Sequence, residues 1–170
     1  LERVSRTASI FNRDKLNWMN GVYIRKLSAD EFYETAESYL MMDRAAGEAI
    51  ISNEEYVRNI LPLVQERART LAEVTELTQF FFVKELDYDP ALLIGKNMSQ
   101  GSTAAALKPA QQRPDELKVF DAESLEALLR PLTVELGLKT GQLFGALRTA
   151  VTGRTAAPPL FQTMAVLGKE

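Results

Sequence analysis

The apolar residues of this chain recur at three- and four-residue spacing, in blocks that begin at helix-capping residues and end at glycine or proline. No stretch of useful length alternates between apolar and polar residues as a half-buried strand would. A chain of 170 residues is long enough to bury a hydrophobic core. We therefore predict an all-α protein made of two consecutive helical subdomains.

The first helical block has a clear start. Ser28 is followed three residues later by Glu31, which is the pattern of a capping box, and apolar residues then recur at helical spacing. These signals predict a helix over residues 29–46 that ends before Gly47.

The second block begins at Asn53, a favourable cap, and keeps an apolar face as far as Leu71. Pro62 lies inside it. Because proline lacks an amide hydrogen and its ring clashes with the preceding turn, we expect a kink or a break near Leu61.

Turn-forming residues at 87–90 predict a boundary near Glu85. This boundary divides the chain into a first subdomain, residues 1–85, and a second, residues 86–170. Within the second, residues 95–114 contain glycine, proline and small polar residues, and we expect a loop around a short alanine-rich helix there.

The last third of the chain predicts a small bundle of three helices. Asp121 is a good cap for a helix that runs through Leu136, and the next helix covers residues 140–152. Glycines directly follow both helices, at 137 and 153, and serve as their stops. Pro158 and Pro159 suit the first turn of the third helix.

The chain contains neither histidine nor cysteine. This excludes disulfides, zinc–thiolate sites and every nucleophile that depends on a histidine base. We expect no catalytic, cofactor-binding or metal-binding residues in this chain. No apolar stretch approaches the roughly twenty residues that span a bilayer, so we expect a cytoplasmic protein that does not enter membranes.

The net charge of −3 is unevenly distributed along the chain. Residues 1–30 carry +3, residues 130–170 carry +3, and the stretch between them carries −9. A polyanionic partner that contacts both ends is one interpretation of this pattern. Ordinary solvated helix faces are the other.

Two regions carry a resemblance to a known family. Residues 11–25 read FNRDKLNWMNGVYIR, and residues 135–170 contain ELGLK, GQLF, LRTAVTGR, PPLF and a closing LGKE. In this order and separation they resemble bacterial-type glutamyl-tRNA synthetases, which are class I aminoacyl-tRNA synthetases. The first resembles the segment just after the catalytic half and the second the end of the enzyme. The match covers essentially the whole chain and is poor at residues 95–118.

This resemblance implies that the chain is the carboxy-terminal, anticodon-binding region of such an enzyme, and Leu1, which is not a start methionine, fits a piece of a longer protein. The partner would be the anticodon loop and stem of tRNA(Glu), bound by a monomer. ATP and Mg²⁺ would belong to the parent enzyme, because the family's ATP-binding signature includes a histidine that this chain lacks.

The resemblance assigns the third anticodon base to Arg67, whose counterpart in the family helps to separate glutamate from glutamine anticodons. Arginine suits this task because its planar fork donates two hydrogen bonds to a base edge. The alternative is an arginine that pairs with Glu66 or Glu73 on a solvated surface.

The resemblance also implies that Arg148, Ala157, Pro158 and Leu160 receive unstacked anticodon bases. For Leu160, periodicity alone favours plain core packing. Arg154 is a candidate phosphate contact, and its alternative role is to cap the preceding helix through the last carbonyls.

Arg25, with Lys26, is a candidate for contacts with the tRNA backbone. The aromatic and aliphatic residues around it are expected to pack the joint to the catalytic half instead. Two other interpretations stay open at this stage. One is a helical protein-interaction module with no RNA role, and the other is a relaxed enzyme that also charges glutamine tRNA with glutamate.

Overall fold

The computed structural model describes residues 12–169, and over this range the chain is all-α, as predicted. None of the helices in this range is both long enough and apolar enough to cross a membrane. Short 3₁₀ turns occupy residues 79–81, 90–93 and 113–116. The α-helices are α1 (Arg13–Ile24), α2 (Ala29–Leu40), α3 (Arg44–Ser52), α4 (Glu54–Gln65), α5 (Ala72–Thr78), α6 (Gln100–Gln112), α7 (Ala122–Glu135), α8 (Thr140–Thr152) and α9 (Leu160–Leu167).

Helix α4 is at the centre of the first hydrophobic cluster, where it contacts α2, α3 and α5. Its buried residues follow the spacing Val57, Leu61 and Val64, and they meet Phe32 and Leu40 of α2 in a core closed to solvent. The helical spacing of these residues therefore gives α4 one apolar face, against which α2, α3 and α5 pack.

The predicted helix over residues 29–46 is two helices, so this prediction was wrong. Helix α2 ends at Leu40, and Asp43 starts α3 by accepting a hydrogen bond from the amide of Ala46 at 3.0 Å. Gly47, predicted as a stop, is buried inside α3. The apolar spacing continues across the break, and for this reason the capping role of Asp43 is hidden in the sequence.

Of the kink or break expected near Leu61, the break does not occur, because α4 continues through Pro62. The proline ring is exposed, while Ile60 and Leu61 before it and Val64 after it are buried and hold both halves of the helix in place. Asn53 caps the helix as predicted, by accepting from the amide of Tyr56 at 3.1 Å. The helix ends at Gln65, six residues earlier than its apolar face suggested.

The second cluster is formed by α6, α7, α8 and α9 around Leu125, Leu129 and Leu143. Phe144 of α8 and Phe161 of α9 meet edge to face, with ring centroids 5.1 Å apart. The predicted caps are confirmed. The carboxylate of Asp121 accepts from the amide of Ser124 at 2.8 Å, and the two glycines at 137 and 153 have φ of 63° and 69°. Both angles lie in the left-handed region that glycine adopts without strain.

Two details of this half differ from the expectation. Residues 95–114, expected to be largely loop, contain the thirteen-residue helix α6, which begins with a capping box between Ser99 and Ser102. The third helix of the bundle begins at Leu160, after both prolines, and Pro159 is its cap residue. Serine at the cap position was the local signal for α6, and the surrounding glycine and proline obscured it.

A third hydrophobic cluster joins α4 to α9. Ile60 packs with Phe80 and Phe81 and, from the last turn of α9, with the partly buried Val166 and Leu167. These contacts fix α9, which follows the 153–159 loop, against the helix that leads to Arg67. The third cluster therefore connects the two parts of the chain that contain the predicted site residues.

Candidate nucleic-acid interface

The carboxy-terminal ends of α1 and α4 are tied together by Gln65. Its side-chain amide donates two hydrogen bonds, to the carbonyl oxygens of Ile24 and Leu27, each at 2.9 Å. Arg25 is the cap residue at the end of α1, and Arg67 follows the cap of α4 by one residue. Gln65 thus brings two predicted site residues to adjoining helix ends, where the partial negative charge of the helix carbonyls favours cations.

The guanidinium of Arg25 folds back over Gly21. A Cβ atom added at Gly21 would lie 3.0 Å from Nη1 of Arg25 and 3.4 Å from the carbonyl oxygen of Ala68. Glycine at this position therefore leaves room for the guanidinium beside the backbone that directly follows Arg67. Arg25 and Arg67, predicted separately, belong to one local arrangement.

Arg67 is exposed on a turn whose backbone is firmly held. The amides of Arg67 and Ala68 both donate to the carbonyl oxygen of Val64, at 2.9 and 3.1 Å, and Ala68 is completely buried. Farther along, the carboxylate of Glu73 accepts from the amide of Arg69 at 2.9 Å and pairs with its guanidinium at 3.0 Å. The turn is therefore closed at both ends, and Arg67 extends from it into solvent.

Glu73 also shows which arginine of this turn has a structural task. Burial raises the pKa of its carboxyl, but the hydrogen bonds from the backbone and guanidinium of Arg69 outweigh this effect and hold the pKa below its usual value. Glu73 is one of the two carboxylates, with Glu66, that the alternative interpretation assigned to Arg67. In the structure it belongs to Arg69.

Ion pairing separates the arginines of the described residues into two groups. Five of them have a carboxylate within 4.0 Å, namely Arg44, Arg58, Arg69, Arg113 and Arg130. The four arginines predicted as tRNA contacts have no such partner among residues 12–169, namely Arg25, Arg67, Arg148 and Arg154, and Arg13 at the start of α1 has none there either. Guanidinium groups without a protein carboxylate can pair with phosphate at no loss of an existing bond.

The end of α8 carries the second group of predicted residues. Arg148 is half-buried, and its carbonyl accepts from the hydroxyl of Thr152 at 2.7 Å. The same hydroxyl accepts from the amide of Arg154 at 3.2 Å, so one threonine fixes the turn between the two arginines. The guanidinium of Arg154 makes no hydrogen bond to the carbonyls of α8 within the described part of the chain, so the capping alternative is not observed there.

Arg154 has acidic neighbours, which sets it apart from Arg67. It lines a small groove of about 200 Å³ together with Glu85 and Asp87. Neither carboxylate is close enough for an ion pair. Their charges nevertheless weaken the positive field that a phosphate would meet at Arg154.

The three apolar residues predicted to receive bases are buried. Ala157 and Leu160 are 6% and 5% exposed, Pro158 is buried as well, and Leu160 belongs to the second hydrophobic cluster. The core-packing alternative therefore describes Leu160 in this structure. Their part in RNA binding stays a prediction.

Two residues that shape the site were missed in the sequence. Gln65 follows Leu61 by four residues and precedes Ala68 by three, so a polar side chain occupies a helical position that faces the core. That placement was a usable signal, since buried polar groups need partners. Glu73 was considered only as a partner of Arg67, although its spacing of four residues from Arg69 was a usable signal for the pair with Arg69. Among residues 12–169 no cluster of three or more acidic side chains lies close enough together to hold a metal ion.

The helical fold and the unpaired arginines at the helix ends are typical of a module that binds a polyanion. The chain belongs to the anticodon binding domain family, since the model of that family, described as "Anticodon binding domain", matches residues 31–170.

The chain is similar to curated proteins along its whole length. It is 50% identical over 170 residues to the glutamate–tRNA ligase of Dehalococcoides mccartyi strain BAV1, and this match covers all of the chain and 35% of that protein. It is 45% identical to the glutamate–tRNA ligase of Roseiflexus castenholzii, over 99% of the chain and 34% of that protein. The chain thus spans about a third of the length of the curated relatives that it matches.

Two solved structures share the fold. A glutamate tRNA ligase from Elizabethkingia meningosepticum matches with a TM-score of 0.76 and 21% identity, over 98% of this chain and 32% of that one. A glutamate-tRNA synthetase from Elizabethkingia anophelis matches with a TM-score of 0.70 and 19% identity, over 98% and 31%. The resemblance noted in the sequence is confirmed, and these findings favour it over a protein-interaction module without an RNA role.

Proposed function

We propose that this chain is the part of a glutamate–tRNA ligase that receives the anticodon arm of tRNA(Glu). The rest of the parent enzyme would attach glutamate with ATP, and with Mg²⁺ as the ion that accompanies the nucleotide. The observation that carries the proposal is the arrangement of Arg25 and Arg67, two arginines without carboxylate partners among residues 12–169 that Gln65 brings to adjoining helix ends.

The chemistry of the two arginines suggests a division of tasks. Arg67 is exposed on a held turn, and its planar guanidinium can donate two parallel hydrogen bonds to the edge of an unstacked base. Arg25 lies back against Gly21 and the backbone of Ala68, which suits a contact with the phosphate next to that base. Arg148 would contact the loop from the second bundle.

The chain acts in this proposal as two subdomains, residues 1–85 and 86–170, which function as a monomer in the cytoplasm. The third hydrophobic cluster supports a fixed relation between them, because Val166 and Leu167 of α9 pack against Ile60 of α4. An RNA loop that contacts both subdomains then meets a preformed surface, which lowers the entropic cost of binding.

The experiment is a fluorescence anisotropy titration of the chain with two stem-loop RNAs, one with a glutamate anticodon and one with a glutamine anticodon, at several salt concentrations. We expect tighter binding of the glutamate stem-loop, and a logarithmic affinity that falls by about 0.7–0.9 per phosphate contact for each tenfold rise in salt. Arg44→Ala serves as a control, because Arg44 is exposed and paired with Glu48.

Two results would refute the proposal: no binding at low salt, or binding that is strong but indifferent to salt. Equal affinity for the two stem-loops would point to the relaxed enzyme, which charges glutamine tRNA as well.

A further inference from the structure

An open groove of about 390 Å³ lies between α1, α2 and the start of α5. Tyr23 and Ile24 of α1 form one wall, Tyr39 of α2 forms another, and Thr70 and Leu71 close the end. None of these residues is among the predicted contacts of the RNA. The groove adjoins the Arg25–Arg67 arrangement, because Thr70 and Leu71 belong to the same turn as Arg67.

The lining of this groove suits a flat heterocycle. Two tyrosine rings and several aliphatic side chains supply apolar and aromatic surface, while Asn20, Thr35 and Thr70 place an amide and two hydroxyl groups around it. A pocket that is mostly apolar with a few polar groups is the usual form of a small-molecule site. Unpaired nucleobases are bound in the same way, by stacking on aromatic rings and by hydrogen bonds to their edges.

The charges around the groove complement a nucleotide. The Nζ atom of Lys26 lies 5.9 Å from the ring centroid of Tyr23, and Arg25 occupies the neighbouring face of α1. Two of the acidic side chains near the groove in the chain are engaged elsewhere, while the exposed Glu34, which directly precedes Thr35, has no ion-pair partner among residues 12–169. Glu31 accepts hydrogen bonds from the amide and hydroxyl of Ser28, and Glu73 holds Arg69. A phosphate on the α1 side of the groove therefore meets cations, while Glu34 belongs to the α2 side.

We infer that the groove takes one unpaired nucleotide of the RNA loop, next to the base that Arg67 contacts, with the base stacked on Tyr23 and its phosphate beside Arg25 and Lys26. This inference rests on the proposed function and adds a second base-binding position to it. It also gives the exposed ring of Tyr23 a role other than packing a joint to another part of a longer protein.

The chain provides a matched control on the same helix. Tyr23 and Trp18 both lie in α1 and are almost equally exposed, at 65% and 64%. Only Tyr23 lines the groove. Loss of either ring should have little effect on folding, so a difference in RNA binding between Tyr23→Ala and Trp18→Ala reports on the groove.

The first test is anisotropy titration of the full chain with the glutamate stem-loop. Loss of one stacked base costs about 1–3 kcal/mol, so we expect Tyr23→Ala to weaken binding by about 5- to 150-fold. Trp18→Ala should bind the stem-loop as tightly as the unmodified chain does. So should Tyr23→Phe, because phenylalanine keeps the stacking ring. An abasic nucleotide at the matching loop position should remove the effect of Tyr23→Ala.

The second test is spectroscopic and uses the fact that Trp18 is the single tryptophan of the chain. The double variant Trp18→Phe, Tyr23→Trp moves this reporter into the groove. The stem-loop should quench its fluorescence, whereas Trp18 of the parent chain should change little. Quenching that is equal in both proteins would contradict the inference.

Failure of the inference differs from failure of the proposed function. Suppose that the unmodified chain binds the stem-loop and that Arg67→Ala weakens this binding, but that Tyr23→Ala and Trp18→Ala bind equally well. The groove then holds no nucleotide, and the proposed function stands. If the parent chain binds no stem-loop at low salt, both are overturned.

Discussion

The side-chain amide of Gln65, in the last turn of α4, donates a 2.9 Å hydrogen bond to the carbonyl oxygen of Leu27, three residues beyond the end of α1. A second bond of equal length, to the carbonyl of Ile24, uses the other proton of the same amide. One polar side chain thus satisfies two backbone carbonyls at a helix end, and in doing so sets the distance between the segments that carry Arg25 and Arg67.

Replacement of Gln65 by leucine should affect both stability and RNA binding. The carbonyl of Leu27 loses its donor, and that of Ile24 keeps only the amide of Leu27 at 3.2 Å, so we expect the free energy of unfolding in urea to fall by about 1–3 kcal/mol. Binding of the glutamate stem-loop should weaken as Arg25 loses its fixed position. The exposed Gln112 at the end of α6 is the control, and Gln112→Leu should change neither quantity.

A positioning role predicts more than a loss of stability. If Gln65 acts through Arg25, the losses of RNA affinity in Gln65→Leu and Arg25→Ala should sum to more than the loss in the double variant. Strictly additive losses would show that Gln65 affects RNA binding independently of Arg25, and an unchanged affinity in Gln65→Leu would show that Gln65 acts only on folding.

Arg67 and Arg69 form a second matched pair, two residues apart on the same turn. Arg67→Ala in a full-length parent enzyme should lower the charging efficiency for tRNA(Glu) and reduce discrimination at the third anticodon base by about 1–3 kcal/mol, the usual range for a bidentate base contact. Arg69→Ala breaks the pair with Glu73 and should leave this discrimination unchanged. The measurement is kcat/KM on glutamate and glutamine tRNAs. Equal discrimination by the Arg67→Ala variant and the unmodified enzyme would show that Arg67 does not contact the third anticodon base.

The features of the fold that could be predicted from the sequence are mostly local. The helix starts at Asn53 and Asp121 and the stops at Gly137 and Gly153 were visible because a cap depends on a few neighbouring residues. The break at Asp43 was missed because the apolar spacing of α2 continues into α3. Asp43 is itself a local cap, and the continuous apolar spacing hid it.

The candidate site could be predicted only in part, because some of its features depend on contacts between residues far apart in the chain. Arg67 came from the resemblance, and its exposure on a held turn fits the role assigned to it. The neighbourhood of Arg25 and the groove beside Tyr23 depend on contacts between residues about forty positions apart, such as the bond from Gln65 to Ile24. No pattern along the chain encodes such a contact. The burial of Ala157 and Leu160 is likewise a property of the packed bundle.

Leu160 permits a direct test of core packing against base binding. Leu160→Ala should destabilise the chain by about 2–5 kcal/mol, because the side chain is buried in the second cluster and a cavity remains. Leu160→Met conserves volume and should cost less than about 1.5 kcal/mol while RNA affinity stays at the parent value. Urea unfolding and stem-loop titration of both variants distinguish core packing from base binding. A Leu160→Ala chain with parental stability and no RNA binding would show that the side chain touches the base.

The face of α8 that leads to Arg148 yields a prediction in which stability and binding move in opposite directions. Gly141, Gly145 and Arg148 follow one another at helical spacing, and a Cβ atom added at either glycine would meet no atom within 4 Å. Gly145→Ala should therefore stabilise the helix by about 0.5–1 kcal/mol. If RNA approaches this face to reach Arg148, the added methyl group should also weaken stem-loop binding.

The control for this variant is Gly101→Ala in α6, where a Cβ atom would meet only the hydroxyl of Ser99, at 4.0 Å. It should give a similar gain in unfolding free energy and no change in RNA affinity. The losses of affinity in Gly145→Ala and Arg148→Ala should be less than additive, since both act on one contact. If Gly145→Ala instead binds the stem-loop as tightly as the parent chain, this face of α8 does not approach the RNA, and Arg148 reaches it from another side or makes no contact.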